Sequence, residues 1–203
     1  LPIPSAIPRA PRPAACERDG CRAALVGHFG TYGSHIAPLL RSGLTALLDA
    51  EPSAAAICIG AGSDRFVADL AGARPDLRLR LTATGRASPH AAAAHILACD
   101  LMLQPYPDGV TTRRTSVMAC LINGRAVVTT GGALTEPEWA GSGAVALVPS
   151  GDPRQLVEAA RALLADGQAR AALGARGEAV YRARFALEHT ITALRGRPAG
   201  AAA

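Results

Sequence analysis

Two adjacent arginines, Arg113 and Arg114, are the side chains whose position most strongly suggests chemistry. The periodicity of residues 112–123 predicts a helix, and both arginines would lie in its first turn. Cations are disfavoured there by roughly 0.3–1 kcal/mol each, because the helix dipole is positive at that end. Exposed amides at a helix start, with two guanidinium groups beside them, form a natural site for an anion, above all a phosphate. We therefore predict an anion site in residues 105–116.

A second interpretation of the same segment needs no ligand. Asp108 and Gly109 form a common turn dipeptide. The two arginines would then be solvated, or one of them would pair with Asp108. In the ligand-binding interpretation, Asp108 accepts hydrogen bonds from sugar hydroxyls, while the amides after Gly109 and one arginine contact a phosphate. The residues by themselves leave both interpretations open.

A glycine-rich loop, GHFGTYGS at residues 27–34, follows the first predicted strand. Its glycines allow a tight bend and a close approach of the backbone to a ligand, and Ser34 is placed to cap the next helix. The spacing differs from the dinucleotide pattern G-x-G-x-x-G, and the second predicted strand ends in Gly60-Ala61-Gly62 rather than in an acidic residue. Nicotinamide dinucleotide binding is thus disfavoured, whereas a phosphate site and a turn without a ligand both stay open.

The loop after the fifth predicted strand is the third candidate. Thr135 is placed to cap a short helix, and Glu136 either faces the cleft or serves the capping turn. We expect Trp139 to pack in the interior. His28 and His35 are possible acid/base groups, but neither has a convincing nucleophile beside it in the sequence. The spacing of a metal site is not found, so we predict neither a hydrolase nor a metal centre.

Composition limits the class of protein. Of the 203 residues, 49% are hydrophobic but only 3% are aromatic, so the core must be aliphatic. The formal net charge of +5 is carried mainly by scattered arginines, which suits a small anionic ligand. Nucleic acid is not an expected partner, because basic blocks and aromatic stacking residues are scarce. No apolar run reaches the roughly 18 residues of a membrane span, and no leader peptide opens the chain; we expect a cytoplasmic protein.

The five cysteines are interpreted as free thiols. Cys58, Cys99 and Cys120 lie in or beside apolar segments and are expected to be buried. Cys16 and Cys21 are close in sequence but have no second pair of ligands with which to complete a zinc site. Free thiols agree with a reducing compartment.

Short apolar runs alternate with stretches of helical periodicity. Continuous apolar runs are typical of strands in a parallel sheet that is covered on both faces. The alternating run LRLRLTAT is expected nearer an edge. We predict an α/β fold with a doubly wound, mostly parallel, Rossmann-like sheet of about six strands and C-terminal helices. The predicted strands are residues 24–29, 54–60, 77–84, 100–105, 125–130 and 144–149, and the helices are residues 35–49, 63–73, 89–98, 112–123 and 136–141.

The two ends differ from this central pattern. Residues 1–21 carry five prolines in LPIPSAIPRAPRP and are predicted to be an interdomain linker. The domain proper is predicted to span residues 22–195, and residues 196–203 to be a disordered tail. Its last part is helical, with Asp152 as the cap of one helix and a break at Gly167.

The order and spacing of these pieces, from Leu1 to Arg195, resemble the linker and C-terminal, donor-binding domain of GT-B fold glycosyltransferases of the group 1 type (family 4-like). This broad family contains sucrose synthases and retaining mannosyl- and glucosyltransferases. The pieces that match are the glycine loop, ICIGAGSD (57–64), the turn at Gly85, ACDLMLQPY (98–106), the segment 108–130, TEPEW (135–139) and RARFAL (182–187).

The family's Glu-x7-Glu motif coincides with the segment that holds the arginines. In the family, the first Glu lies near the donor sugar and the second holds the nucleotide ribose. Asp108 matches the first position as a shorter acceptor, and Ser116 replaces the second Glu. Many members also clamp the diphosphate with an Arg and a Lys near the first helix. Here His28 stands near the Arg position and the Lys has no counterpart, so we predict that Arg113 and Arg114 supply the positive charge.

The resemblance implies a donor site with three parts, no metal and no cofactor, the nucleoside-diphosphate sugar being the donor substrate. The implied residues are Gly30, Thr31, Tyr32, Gly33, Arg113 and Arg114 for the diphosphate, Asp108, Gly109 and Val110 for the donor sugar, and Gly85, Arg86 and Ser116 for the nucleoside.

The function implied is that of the donor-binding half of a hexosyltransferase-like glycosyltransferase. A further Rossmann-like domain, in the same chain or in a partner subunit, would complete the enzyme. By itself the chain is expected to bind nucleotide weakly and to transfer no sugar. The alternatives are a non-catalytic nucleotide-binding or regulatory module of the same fold, and an unrelated Rossmann-type enzyme such as a dehydrogenase or an epimerase, against which the missing acid at strand two argues.

Overall fold

A parallel sheet of six strands runs through the described part of the chain, which in the computed structural model is residues 1–11, 23–150 and 152–195. Each strand pairs with its neighbours in parallel, in the order β3-β2-β1-β4-β5-β6. The order reverses between β1 and β4, and such a reversal opens a crevice at the carboxyl ends of the strands. The strands are β1 Leu25–Phe29, β2 Ala55–Ile59, β3 Leu81–Ala83, β4 Leu101–Gln104, β5 Val127–Gly131 and β6 Ala146–Pro149.

Helices connect the strands and cover both faces, which confirms the predicted doubly wound fold. The helices are α1 Ala37–Ala50, α2 Ser63–Ala73, α3 Pro89–Ala98, α4 Thr115–Ile122, α5 Pro137–Ser142, α6 Pro153–Ala165, α7 Gly167–Val180 and α8 Leu187–Arg195, with a 3-10 segment at Pro75–Arg80 and a π-helical turn at Tyr181–Phe185.

The core has two aliphatic halves, one on each face of the sheet. Leucines of α1 and Phe66 of α2 pack on one face together with Leu156 of α6. Met118 of α4 and Ile96 of α3 pack on the other face. Trp139 lies in this second half, stacked on Phe185 at 5.6 Å between ring centroids, which confirms its expected packing role.

The described cysteines are buried, as predicted. Cys58 lies in the first half of the core, while Cys99 and Cys120 lie in the second. Burial raises the pKa of the Cys58 thiol to about 12, which keeps it protonated and unreactive at neutral pH. The predictions for Cys16 and Cys21 lie outside the described residues.

The predicted strand at residues 77–84 is correct only at its end. Pro75 starts a 3-10 segment, and only Leu81–Ala83 pairs as β3, at the expected edge of the sheet. Within the segment Leu79 is almost fully exposed, while the Arg80 guanidinium donates to backbone carbonyls of Leu48, Glu51 and Ala54. These contacts hold the segment against α1 and β2, where it cannot join the sheet.

Helix starts differ from the sequence prediction at several places. Asp152 caps α6 as expected, its carboxylate accepting from Arg154 N at 2.9 Å. The break between α6 and α7 falls at Asp166, one residue before the predicted Gly167; Asp166 caps α7, and Gly167 is the first residue of that helix. Ser34 does not cap α1, because the amides of its first residues bond the backbone carbonyl of Gly33 instead.

Residues 1–11 form an extended strap along the face that carries α4. Ile3 N donates to Thr112 O at 3.0 Å, Ser5 N to the Tyr181 hydroxyl at 3.1 Å, and Ala10 N to Asn123 Oδ1 at 2.8 Å. The first part of the predicted linker is therefore docked on the domain. The rest of that linker and the predicted tail lie outside the described residues. Within the described ranges, no helix is long and apolar enough to cross a membrane.

Candidate functional site

A cleft of about 450 Å³ lies at the reversal of strand order, beyond the carboxyl ends of β1 and β4. This is where open α/β sheets bind their ligands, and the volume is in the range of small-molecule sites. One wall is the loop after β1, the opposite wall is the start of α4, and the turn before α3 and the strap complete it. The lining residues are Ile7, His28, Phe29, Gly30, Thr31, Ile36, Gly60, Ala61, Arg86, Ala87, Pro89, Ala92, Tyr106, Arg113, Arg114, Thr115 and Ser116.

The cleft is positively charged. Arg86, Arg113 and Arg114 line it, and the described residues that line it include no Asp or Glu. Within the described ranges no carboxylate forms an ion pair with these three arginines. The Arg114 guanidinium lies 4.6 Å from the centre of the Tyr106 ring, which orients it by a cation–π contact. The interpretation in which an arginine pairs with Asp108 is therefore wrong.

The arginines precede α4 rather than lying in its first turn, so the predicted start of this helix was wrong. The helix begins at Thr115, and no side chain caps it. Two turns come before it, in which Arg114 N donates to Thr111 O and Thr115 N to Arg113 O. Both arginine side chains thus project from irregular backbone next to the N-terminal end of α4. Their positive charges add to the positive potential of that helix end.

Glu136 is the residue that holds this irregular backbone in place. Its carboxylate accepts from the Thr112 amide at 3.0 and 3.1 Å, from the Thr112 hydroxyl at 2.8 Å and from Trp139 Nε1 at 3.1 Å. Burial by itself would raise the pKa of Glu136, but these hydrogen bonds outweigh it and leave the pKa below its usual value. Of the two expected roles, the structural one is found: Glu136, and not Thr135, is the cap residue of α5.

The loop after β1 contributes backbone to the cleft. Gly30 N donates to Ile59 O at 3.1 Å, which ties the loop to the end of β2. No hydrogen bond within the described residues engages the next amides, those of Thr31, Tyr32 and Gly33. Free amides beside three cations favour an anionic ligand.

Half of the twelve predicted site residues line the cleft. The glycine loop contributes two of them, the turn before α3 one, and the start of α4 three. They are Gly30, Thr31, Arg86, Arg113, Arg114 and Ser116.

Two other members of the predicted diphosphate group, Tyr32 and Gly33, do not line the cleft. The Tyr32 hydroxyl donates to the carbonyls of His28 and Ile59, at 3.1 and 3.2 Å, and its ring packs on Phe66. Burial raises the pKa of Tyr32 further above its usual value. Its side chain therefore joins β1 to β2, and only the backbone of these two residues is left for a ligand.

The predicted sugar-binding residues have contacts within the protein. Asp108 Oδ2 lies 2.9 Å from His35 Nε2, and both side chains are exposed. Gly109 N donates to Tyr106 O at 3.1 Å, and Val110 N to Thr130 O at 2.8 Å. Sugar binding by Asp108, Gly109 and Val110 stays a prediction. The amides of Gly109 and Val110 already donate to carbonyl groups of the protein.

Gly85 shapes the turn that presents Arg86. Its amide donates to Ser63 Oγ at 2.9 Å, and a Cβ here would lie 2.6 Å from Asp64 Oδ2. Its φ of +62° is in the left-handed region that favours glycine. Gly85 does not line the cleft, so its nucleoside role stays a prediction, while Arg86 does line the cleft.

Tyr106 is a cleft residue that the sequence did not indicate. Its hydroxyl lies 2.7 Å from Ser116 Oγ, and burial raises its pKa above the usual value. Tyr106 is the one aromatic residue in the segment QPYPDG. This was the only feature of the sequence that could have indicated its place in the cleft. Ser116, which replaces the expected Glu, therefore presents a hydroxyl held by Tyr106 instead of a carboxylate.

His28 is buried at the floor of the cleft, with 3% of its surface exposed. Its Nδ1 lies 2.9 Å from Leu103 O, whereas its Nε2 has no hydrogen-bond partner among the described residues. Burial lowers the pKa of His28 to about 4, although the bond to Leu103 acts in the opposite direction. The ring is uncharged at neutral pH.

No cluster of three or more His, Cys, Asp or Glu side chains that could hold a metal occurs in the part of the chain that the structure describes. The groups in the cleft that can meet the charge of a bound anion are arginines and amides.

No family model and no curated protein sequence matches the chain. Many solved structures do match. Sucrose-phosphate synthase from Thermosynechococcus elongatus is 18% identical with a TM-score of 0.70, over 85% of this chain and 44% of that one. HepE from Anabaena, solved in complex with UDP and glucose, is 21% identical with a TM-score of 0.64, over 84% of this chain and 47% of that one.

A third structure matches over most of both chains. It is the C-terminal domain of the group 1 family glycosyl transferase LpcC from Francisella tularensis, 15% identical with a TM-score of 0.67, over 82% of this chain and 88% of that domain. The fold is therefore that of the C-terminal domain of a GT-B glycosyltransferase, as the sequence resemblance implied. The chain spans less than half the length of sucrose-phosphate synthase and HepE, and identities this low establish the fold alone.

Proposed function

We propose that the cleft binds a nucleoside-diphosphate sugar and that the domain is the donor-binding half of a glycosyltransferase. The observation that carries the proposal is the charge of the cleft: three arginines and no described carboxylate line the crevice at the reversal of strand order. A diphosphate is the part of such a donor that needs this field. HepE, which shares the fold, was solved with UDP and glucose.

In this proposal the diphosphate lies between the β1 loop and α4. The Thr31 amide, on the wall of the cleft, donates to one side of it, and Arg113 and Arg114 meet the other side. Arg86 and Ser116 face the nucleoside, and the exposed Asp108 accepts from the sugar. Charge that develops on the departing diphosphate would be stabilised by the two arginines without a metal.

The acceptor would bind to a further Rossmann-like domain, in the same chain or in a partner subunit. Sucrose-phosphate synthase and HepE, which share the fold, are each about twice as long as this chain, which supports that arrangement. We accordingly expect residues 1–203 to bind nucleotide without transferring sugar to an acceptor. A robust transferase rate from the purified chain would contradict this expectation.

A non-catalytic nucleotide-binding module is the second candidate. The observation that favours it is the replacement of the expected ribose-binding carboxylate by Ser116, whose hydroxyl is held by Tyr106 at 2.7 Å. A donor sugar that binds the complete protein but is never transferred or hydrolysed would favour this candidate over a transferase.

The test is a panel of UDP, GDP, dTDP, ADP and NAD, with the melting temperature of the chain as the readout. We expect one nucleoside diphosphate to raise the melting temperature, because a ligand that binds only the folded state stabilises it. Calorimetry then gives its affinity for the native chain and for variants. Arg113→Ala and Arg114→Ala should each weaken binding by about tenfold, since a charged hydrogen bond is lost.

The matched control is Arg65→Ala, which removes a cation that is 90% exposed on α2 and is not among the residues that line the cleft. It should leave nucleotide affinity unchanged. Stabilisation by NAD alone, or full affinity in the Arg113→Ala/Arg114→Ala double variant, would overturn the proposal.

A further inference from the structure

We infer that His28 accepts a hydrogen bond from a hydroxyl or N–H group of the ligand in the cleft and offers no positive charge to the diphosphate. The inference rests on the proposed function, because the donating group would belong to a nucleoside-diphosphate sugar. It gives His28 a role different from that of the cation implied at this position by the family resemblance.

The backbone fixes which nitrogen of His28 carries the proton. A carbonyl oxygen only accepts, so Nδ1, 2.9 Å from Leu103 O, must donate. In the neutral ring Nε2 is then a bare acceptor. That atom is buried and has no partner among the described residues, which costs free energy unless a ligand or a water supplies a donor.

The space next to Nε2 is less filled because residue 30 is a glycine. A Cβ at Gly30 would lie 3.6 Å from His28 Nε2 and 3.9 Å from Ser116 Cβ. The absent methyl leaves a gap between the β1 loop and α4, and all three residues line the cleft. The unpartnered nitrogen thus borders the gap that the missing methyl leaves beside the cleft.

The surroundings oppose a charged imidazole. Burial lowers the pKa of His28 to about 4. The titratable group in ring contact is Tyr32, at 5.2 Å between centroids, and it remains neutral because burial raises its pKa. Arg86, Arg113 and Arg114 repel a further cation, and no described carboxylate lines the cleft to compensate one.

A neutral acceptor selects against phosphate oxygens. A fully ionised diphosphate has acceptors only, so it cannot donate to Nε2. The donors of a nucleotide sugar are its sugar and ribose hydroxyls and the N–H groups of its base. His28 would therefore contact the nucleoside or the sugar, while the arginines contact the diphosphate.

The test is nitrogen NMR of the imidazole rings in the full chain labelled with 15N-histidine, with His28→Gln used for assignment. Spectra are taken of the free chain at neutral pH, and then with inorganic pyrophosphate, UDP or UDP-glucose, or with the corresponding nucleotide and sugar nucleotide if the melting-temperature panel selects another base. We expect Nε2 of His28 to be unprotonated in every state. Its resonance should move, as for an acceptor, with UDP if the donor is in the nucleoside and only with UDP-glucose if the donor is in the sugar.

The results separate this inference from the proposed function. If UDP or UDP-glucose binds and Nε2 becomes protonated, or stays unshifted with both, the inference is wrong while nucleotide binding stands. If no nucleoside diphosphate binds, the proposed function fails and the inference fails with it. If Nε2 becomes protonated when pyrophosphate alone is bound, His28 is a cation that binds phosphate and the inference is again wrong.

Affinity gives a second measurement. His28→Leu removes the acceptor at similar volume and should weaken binding of the ligand that moved Nε2 by about threefold to tenfold, the value of one hydrogen bond. Affinity for pyrophosphate should not change. Equal weakening for pyrophosphate would contradict the inference, and if the variant does not fold, the spectra of the native chain decide.

Discussion

A single carboxylate determines where two of the cleft's arginines stand. Glu136 holds both the amide and the hydroxyl of Thr112 and is itself held by Trp139 Nε1. Arg113 and Arg114 follow in two tight turns, so they leave the backbone before α4 begins. Glu136 is therefore a positioning residue of the cleft without lining it.

Replacing Glu136 by Gln should reduce the free energy of unfolding by about 1 kcal/mol at neutral pH, because one of the hydrogen bonds to the carboxylate is lost and the rest weaken. The pKa of Glu136 is lowered from 4.5. The contribution of Glu136 to the free energy of unfolding is thus fully present above the pKa of the unfolded state. It is lost as the pH falls through the lower pKa of the folded state. The difference in stability from the native chain should shrink as the pH falls below 4.5.

The measurement is urea denaturation from neutral pH to below 4.5, and Glu138→Gln is its matched control. Glu138 lies in the first turn of the same short helix and is exposed, so its substitution makes the same charge change without removing the contacts to Thr112. Equal losses of stability in the two variants would show that charge, and not the hold on Thr112, is responsible.

At the scale of elements, the cleft depends on loops that approach one another closely at the ends of the strands. Gly60, just after β2, has a φ of +113°, and a Cβ there would lie 2.4 Å from Gly30 O. On the other side of the crevice, Gly109 has a φ of +93°, and a Cβ would lie 2.2 Å from Thr135 Oγ1. The loops at Gly60 and Gly109 can approach the neighbouring loops this closely only because glycine has no side chain.

Gly60→Ala should destabilise the chain by about 2 kcal/mol or more, since it combines backbone strain with a clash against a carbonyl. Gly72→Ala is the matched change inside α2, where no atom lies within 4 Å of the new Cβ. It should stabilise by about 0.5 kcal/mol through helix propensity. Thermal and urea unfolding of both variants check the pair, and tolerance of Gly60→Ala would mean that the two loops are not packed as described.

The elements that could be predicted from the sequence are those set by local pattern. Five of the six strands coincide with continuous apolar runs, and α2 and α3 have their predicted bounds. The start of α4 could not be predicted, because it is fixed by a residue more than twenty positions later in the chain. The 3-10 segment before β3 was missed for a similar reason: contacts from Arg80 to α1 and to the start of β2 override its alternating pattern.

The same division holds for the cleft. Arginines and glycine-rich turns are visible in a sequence, and Gly30, Thr31, Arg113 and Arg114 were identified from them. Tyr106 and the contribution of Ile7 in the strap were not, because they depend on burial and on docking between distant segments.

At the scale of the whole molecule, the reversal of strand order brings the separate contributions together. The β1 loop supplies free amides, the turn before α3 supplies one arginine, and the segment before α4 supplies two. The strap bonds the last of these segments through Ile3 N and Thr112 O. A net positive charge that is scattered in sequence is thereby concentrated at one crevice, and the resulting field favours a small anionic ligand.

Amide chemical-shift mapping tests nucleotide binding in this cleft most directly. The 15N-labelled chain is titrated with the nucleoside diphosphate that most raises its melting temperature, UDP being the first to try. We predict saturable shifts that are largest at the amides of residues 30–33 and 113–116, on the two walls of the cleft. Shifts centred elsewhere, for example on α6 and α7, or no saturable shift with any nucleoside diphosphate, would contradict the account.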